Sequence, residues 1–185
     1  MSVAASKTAY QLRISLKEFT PTIWRRLLIP GGTSLAKLHT IFQAAMSWDD
    51  YHLHCFEIGG VRYGVPDPEF GLTDVDDTKV RLADLVGERA RFEYQYDFGD
   101  DWHHEVIIES VSNLTQVLKC AVCLDGQRSC PPEDVGGAYM YSMVLEAALD
   151  PNHEDHDEYV NWIPPGFDPD AFDLAATNAA LQRVR

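Results

Sequence analysis

Apolar and polar residues alternate from Tyr10 to Lys17: Tyr10, Leu12, Ile14 and Leu16 share one face, and Gln11, Arg13, Ser15 and Lys17 the other. A period of two marks a half-buried strand. Thr20-Pro21 interrupts the pattern, Ile23–Ile29 resumes it as a second strand, and Pro30-Gly31-Gly32 ends that strand. The period then changes. Leu35, Leu38, Ile41, Phe42, Ala45 and Trp48 recur at helical spacing behind Thr33 or Ser34, either of which can cap a helix, so residues 34–47 read as an amphipathic helix closed by Asp49-Asp50.

Tyr51–Ile58 and Val61–Val65 flank Gly59-Gly60 as a strand pair. Pro66 to Asp77 reads as a polar, acidic loop, Val80–Val86 as a short helix and Arg89–Ser110 as a long hairpin. Val111–Val135 shows no period, Tyr139–Leu149 is helical, Asp150–Glu158 is an acidic loop, and Asp168–Arg183 closes as a helix. The order β-β-α-β-β-(α)-β-β-α-α predicts an α+β fold, with a mixed or mainly antiparallel sheet and helices packed on one face. Its opening β-β-α-β is β-grasp-like. A chain of 185 residues without repeat or low-complexity linker reads as a single domain, 1–185, ordered over about 10–181.

In the hairpin, Phe92, Tyr94, Tyr96 and Phe98 share a face, as do Trp102, His104, Val106 and Ile108. Aligning the two sets needs an odd loop, most simply Gly99-Asp100-Asp101 with Gly99 at positive φ. That register pairs Phe98 with Trp102, Tyr96 with His104 and Tyr94 with Val106, and sets Asp97 across from His103. Aromatic ladders and Asp-rich turns stabilise sheets without any further role. Five titratable residues, Asp97, Asp100, Asp101, His103 and His104, nevertheless crowd one turn.

The net charge of −14 is uneven. Residues 1–48 carry six Lys or Arg and one acid; Ser129 to Gln182 carry eleven acids and no Lys or Arg. So acidic a chain lacks the cations that displace counterions from phosphates, which argues against a general nucleic-acid binder. The N-terminal cations are expected to meet the acidic C-terminal part within the fold. No apolar run approaches the ~20 residues that span a bilayer. Met1 to Ala9 does not read as a secretory signal, so the expectation is a cytoplasmic protein without membrane attachment.

Candidate chemistry lies in three further places. His52 and His54 sit two apart on a strand, a spacing that chelates zinc if a third ligand converges. Two such histidines are more often hydrogen-bonded structural residues. Cys120-x-x-Cys123-x6-Cys130 has the form of three-quarters of a zinc knuckle, and ordinary packing is its plain alternative. In Pro131-Pro132-Glu133-Asp134-Val135-Gly136-Gly137 the acids suit a helix start. The same glycines would let backbone N–H groups approach a ligand beside Glu133 and Asp134. His153-x-x-His156 lies in an acidic loop and receives no role. There is no P-loop, no GxGxxG, no Ser-His-Asp order and no HExxH.

The segments IWRRLLIP, SLAKLHTIFQAAMSW, YHLHCFEI, YQYDFGDDWHHEVIIE, CLDGQRSCPPEDVGG and FDPDAFDLAATNAAL, in that order, resemble the plasmid pRiA4b ORF-3-like family. The resemblance runs from about Tyr10 to Leu181 and is most specific at YDFGDDWxH and CPPEDVGG. It implies an α+β fold and an uncharacterised activity; members occur on bacterial and archaeal chromosomes, on plasmids and as insertion-sequence passengers, some of the passengers under a resolvase-like name. That label fits poorly, since the acidic chain lacks a recombinase's arginine cluster and basic region. The shared positions fall on His54, Tyr96, Asp97, Gly99, Asp100, Trp102, His104, Pro131, Pro132, Glu133, Asp134, Gly136 and Gly137. Val135 stands where many relatives carry cysteine, which argues against a common cysteine-based site.

Three functions are consistent with these features. The first is a domain binding a small molecule or protein through His54, Tyr96, Asp97, Asp100, Trp102, His104, Glu133, Asp134, Gly136 and Gly137. The second is a metal-dependent hydrolase with ligands drawn from His52, His54, Asp97, Asp100, His104, Glu133 and Asp134, zinc being a candidate metal; Cys120, Cys123 and Cys130 are separate candidates for a structural zinc. The third is a nucleic-acid-associated regulator acting through the basic N-terminal strands.

Overall fold

In a computed structural model the described residues are 7–67, 69, 72 and 74–184. They form one eight-stranded sheet of order β5-β4-β3-β6-β7-β1-β2-β8. The strands are β1 (Thr8–Leu16), β2 (Ile23–Pro30), β3 (His54–Ile58), β4 (Val61–Gly64), β5 (Val75–Asp76), β6 (Arg91–Tyr96), β7 (Trp102–Asn113) and β8 (Val122–Gln127). β4 and β5 pair in parallel, and the other neighbours are antiparallel. The helices are α1 (Leu35–Met46), α2 (Leu82–Leu85), α3 (Gly137–Leu149), α4 (His156–Tyr159) and α5 (Leu174–Leu181). The sheet is therefore mixed and mainly antiparallel, and the fold is α+β.

One sheet face is apolar, as the alternation predicts: Leu12, Ile14, Leu27, Phe56, Tyr94, Tyr96, Trp102 and Val106 are buried. α1 lies on this face, with Phe42 against Phe56 and edge-on to Tyr94. Each such side chain contributes about 1.5–3 kcal/mol when fully buried. Ser34 caps α1 by accepting from the Lys37 N–H. Ser47 ends the helix in the left-handed region, turning the chain so that Trp48 re-enters the core. The other face is laced with ion pairs: Lys17 with Glu93, Arg26 with Glu109 and Asp125, and Arg91 with Glu105. The partners of Lys17 and Arg26 precede Ser129, so these two cations do not pair with the acidic C-terminal part as expected. Strand pairing brings Glu109 beside Arg26 first.

The opening β-β-α-β order is present, but β3 does not join β1, because the β6–β7 hairpin stands between them. That hairpin differs from expectation by two residues. Tyr96 faces Trp102, Tyr94 faces His104 and Phe92 faces Val106, with Gln95 rather than Asp97 across from His103. The parity holds, so the aromatic sets still share a face. The loop is five residues, Asp97–Asp101. Asp97 and Asp101, not Gly99, take positive φ (55° and 60°). The Asp97 N–H extends the pairing on the β3 side by donating to the Leu53 carbonyl at 2.9 Å, and the Asp101 N–H closes the five-residue loop on the Asp97 carbonyl at 2.7 Å.

Four elements depart from the sequence pattern, one being α4, a single helical turn at the end of the expected acidic loop. Val122–Gln127 is a strand within the stretch without period, held at the sheet edge by Asn178, which bonds both the N–H and the carbonyl of Cys123. The closing helix spans Leu174–Leu181 alone, capped by Asp173. Within the Pro66–Asp77 loop, Val75–Asp76 forms β5, while residues 68, 70, 71 and 73 lie outside the described ones. No described helix is long and apolar enough to cross a membrane.

Candidate functional site

Three segments meet at one end of the sheet: the turn after α1, the hairpin tip and the segment before α3. Trp48 anchors the first. Its ring stacks on Tyr96 with centroids 5.1 Å apart, and its Nε1–H donates to the Pro131 carbonyl at 2.9 Å. The Tyr96 hydroxyl donates to Glu133 Oε1 at 2.5 Å and accepts the Tyr51 N–H at 3.1 Å. Glu133 Oε2 in turn accepts the Asp49 N–H at 2.7 Å. Burial, then this bond to a carboxylate, holds the Tyr96 hydroxyl protonated well above the usual range. The hairpin tip docks separately. Asp100 Oδ2 accepts the Gly136 N–H at 3.0 Å, and Gly137, at φ 78°, packs so closely that a Cβ there would lie 2.5 Å from the Asp100 carbonyl oxygen.

This frame fixes two aspartates beside His52. Asp97 is buried; its Oδ1 accepts the Gly99 N–H at 2.9 Å, and its Oδ2 lies 3.7 Å from His52 Nε2. Asp134, in the left-handed region at φ 58°, places Oδ1 3.0 Å from the same nitrogen. The contact is close, yet no hydrogen bond to Nε2 is aligned, and that nitrogen is shielded from solvent. A nitrogen so placed directs no N–H along either oxygen. One donor atom each from His52, Asp97 and Asp134 lie within 4.8 Å of one another, the one group of three or more such side chains among the described residues. One imidazole nitrogen and two carboxylate oxygens suit a divalent transition metal. Asp134 is largely exposed, so further coordination positions face solvent.

The other candidates fall elsewhere. His54 is buried, bonds Asp77 Oδ2 at 2.8 Å and stacks on His39 at 3.5 Å with planes 7° apart. It therefore does not share a ligand with His52, although only one residue separates them. His39 belongs to a chain of hydrogen bonds: Gln43 Nε2 donates to the Tyr94 hydroxyl, which lies 2.8 Å from His39 Nδ1, and His39 Nε2 lies 2.6 Å from Asp50 Oδ1. Burial and the neighbouring His54 push the His39 pKa down to about 4. Trp102 and His104 are core residues. His104 Nδ1 donates to the Tyr94 carbonyl at 3.2 Å, its Nε2 has no partner among the described residues, and burial pushes its pKa down to about 3.

The three cysteines do not converge. The Cys123 thiol donates to the Asp125 carbonyl, Cys130 lies beside Met46 Sδ and Arg25, and Cys120 is partly exposed. The sequence marks Asp97, Glu133, Asp134 and His52, but not Asp50, Asp77 or His39. A polar residue on the buried face of α1 is the one signal His39 gives.

A family model described as plasmid pRiA4b ORF-3-like protein matches residues 8–176, and the chain belongs to that family. It is similar to an uncharacterised protein, y4hQ, of Sinorhizobium fredii (strain NBRC 101917 / NGR234), with 35% identity over 174 residues, 92% of this chain and 89% of that protein. It is also similar to a solved structure, the protein of unknown function MM3350 from Methanosarcina mazei Go1. There the TM-score is 0.82 at 35% identity, covering 90% of this chain and 96% of that one.

Proposed function

We propose that the protein is a metal-dependent binding module: His52, Asp97 and Asp134 hold one divalent transition-metal ion, zinc being the best match, and its open positions capture an acceptor group of a small molecule or protein. The observation that carries this reading is the set of three donor atoms within 4.8 Å, with His52 Nε2 engaged by no aligned hydrogen bond. The frame around it supports the same reading. Tyr96, Glu133 and Trp48 fix the backbone on which the ligands stand, as the outer residues of metal sites do. The net charge of −14 raises the local concentration of cations.

Hydrolysis is the second reading, favoured by the count of protein ligands, since three leave room for a bound water. It also needs a base beside that water. Glu133, the other carboxylate of the segment, is committed to the Tyr96 hydroxyl and the Asp49 N–H. Binding without turnover fits these commitments better. Nucleic-acid regulation finds less support, because Arg25 is buried and Lys17 and Arg26 are ion-paired. Four free cysteines suit a reducing, cytoplasmic compartment. Carriage on mobile elements bears on how such a module spreads, not on what it binds.

The test is calorimetric titration of tag-free protein with zinc and with manganese. One ion per chain, with binding lost in His52→Ala, supports the site. Absence of binding to both ions overturns it.

A further inference from the structure

β2 sends Ile23, Arg25, Leu27 and Ile29 to the core, and one of the four carries a charge. Arg25 is 3% exposed. A buried guanidinium ordinarily meets a carboxylate, since desolvating an uncompensated charge is costly. Even the more exposed Arg26, Arg62, Arg91 and Arg128 each pair with a carboxylate. Arg25, the most buried of the five, has no ion pair among the described residues. Its Nε donates to the Ala45 carbonyl at 3.1 Å, and its Nη1 to the carbonyls of Trp24 and Gln127 at 2.8 and 3.0 Å. Nη2 has only the Cys130 sulfur, at 3.3 Å, a weak acceptor.

The surroundings are built around this group. Phe172 covers the guanidinium with its ring centroid at 4.5 Å. Gly126, the partner of Arg25 across the β2–β8 ladder, makes room for the stack: a Cβ there would lie 2.6 Å from Phe172 Cζ and 2.9 Å from Arg25 Cδ. Beside them opens a cavity of about 370 Å³, walled by Met46, Pro131, Phe167 and Phe172 together with Arg25 and Cys130. The acid on its rim, Asp173, is committed through Oδ1 to the Ala176 N–H at the start of α5. The Cys130 thiol does not serve as counter-ion, because burial raises its pKa despite the neighbouring Arg25.

We infer that this cavity binds a small organic carboxylate with an apolar body, whose carboxylate takes the Nη2 edge of Arg25 and whose body lies against Phe167, Met46 and Pro131. The volume falls in the range of small-molecule sites, about 300–1,000 Å³. One guanidinium with a single under-used edge suits a carboxylate, whereas a phosphate calls for several donors. Met46, Pro131 and Phe167 offer an apolar body contacts that a fully hydrated anion would not use. The metal cluster plays no part in this inference, so either can fail without the other.

The experiment is nuclear magnetic resonance titration of the full chain with benzoate, its neutral isostere benzamide, and inorganic phosphate. Benzoate should shift the Met46 methyl and the amides of Ala171 and Ala176 saturably. Benzamide should bind about tenfold more weakly or worse, as loss of a charge-assisted hydrogen bond implies, and phosphate should leave these signals in place. Arg25→Met should remove the preference for benzoate. Because Arg25 also bonds three carbonyls and that variant can fail to fold, Ala176→Phe, which blocks the cavity and leaves those bonds intact, should abolish binding in a folded protein. Equal binding of benzoate and benzamide, phosphate binding as tight as benzoate, no shift at millimolar benzoate, or full binding by Ala176→Phe would each overturn the inference.

Discussion

The hydroxyl of Tyr96 and the carboxylate of Glu133 meet at 2.5 Å, joining the last residue of β6 to the segment that carries Asp134. The same hydroxyl accepts the Tyr51 N–H, beside His52. One side chain thus ties together all three segments that supply the cluster's ligands. Replacing Tyr96 by Phe keeps the ring on Trp48 but leaves a partly buried N–H and a carboxylate oxygen without it. The expected cost is about 1–3 kcal/mol, read as a lower urea midpoint at unchanged m-value. Zinc affinity should weaken in parallel, because Asp134 loses its fixed backbone.

Two glycines separate close packing from open space. Gly137 has φ 78° and would place a Cβ 2.5 Å from the Asp100 carbonyl oxygen. Gly137→Ala must shift the hairpin tip or the start of α3, and should cost about 1–3 kcal/mol. At Gly32 a Cβ meets nothing within 4 Å. Gly32→Ala should leave stability within about 0.5 kcal/mol of the parent. Chemical denaturation of the two variants side by side measures the contrast.

His104 makes stability depend on pH with a definite sign. Burial holds its folded pKa at about 3, against about 6.5 in the unfolded chain. Between those values the unfolded state binds the proton and the folded state does not. The contribution is therefore fully present above about pH 6.5 and is lost as pH falls toward about 3, by up to about 1.4 kcal/mol per unit. His104→Leu removes this share of the slope. Its urea midpoint should fall less than the parent's between about pH 7 and about pH 4.5. His39, whose pKa lies at about 4, leaves a residual slope of the same sign in both proteins.

The buried pair of His54 and Asp77 is a core feature rather than part of the metal cluster. Asp77→Ala leaves the His54 imidazole buried without its partner, which should cost about 1–3 kcal/mol in stability. Refolded protein should still bind zinc at His52. Circular dichroism melting and calorimetry report the two effects separately.

What the sequence reveals is local. The alternation of Tyr10–Lys17 and the spacing from Leu35 to Trp48 fix β1 and α1, because each buries one face against the same core. The hairpin's faces are legible from parity, but its register is not. The loop opens at Asp97 because Asp97 and Asp101 both take positive φ and the Asp101 N–H closes on the Asp97 carbonyl, which parity alone does not reveal. β8 is hidden because Cys123 is its only buried residue and Asn178, from α5, completes its edge. Asp97, Glu133 and Asp134 stand out as acids next to aromatics and glycines. That Asp134 joins His52 while Glu133 is taken by Tyr96 depends on the left-handed turn at Asp134, which composition does not reveal. Arg25 is the opposite case: a charge at the second of four core-facing positions in β2 is visible in the bare pattern, once Ile23, Leu27 and Ile29 are recognised as one face.

The central claim is that His52, Asp97 and Asp134 form one metal site. Zinc titration of tag-free parent protein, His52→Ala, Asp134→Asn and Cys123→Ser by isothermal calorimetry tests it most directly. The expected result is one ion per chain for the parent and for Cys123→Ser, and at least about tenfold weaker binding for His52→Ala and Asp134→Asn. Binding by His52→Ala as tight as the parent's, or loss of binding in Cys123→Ser alone, would contradict it.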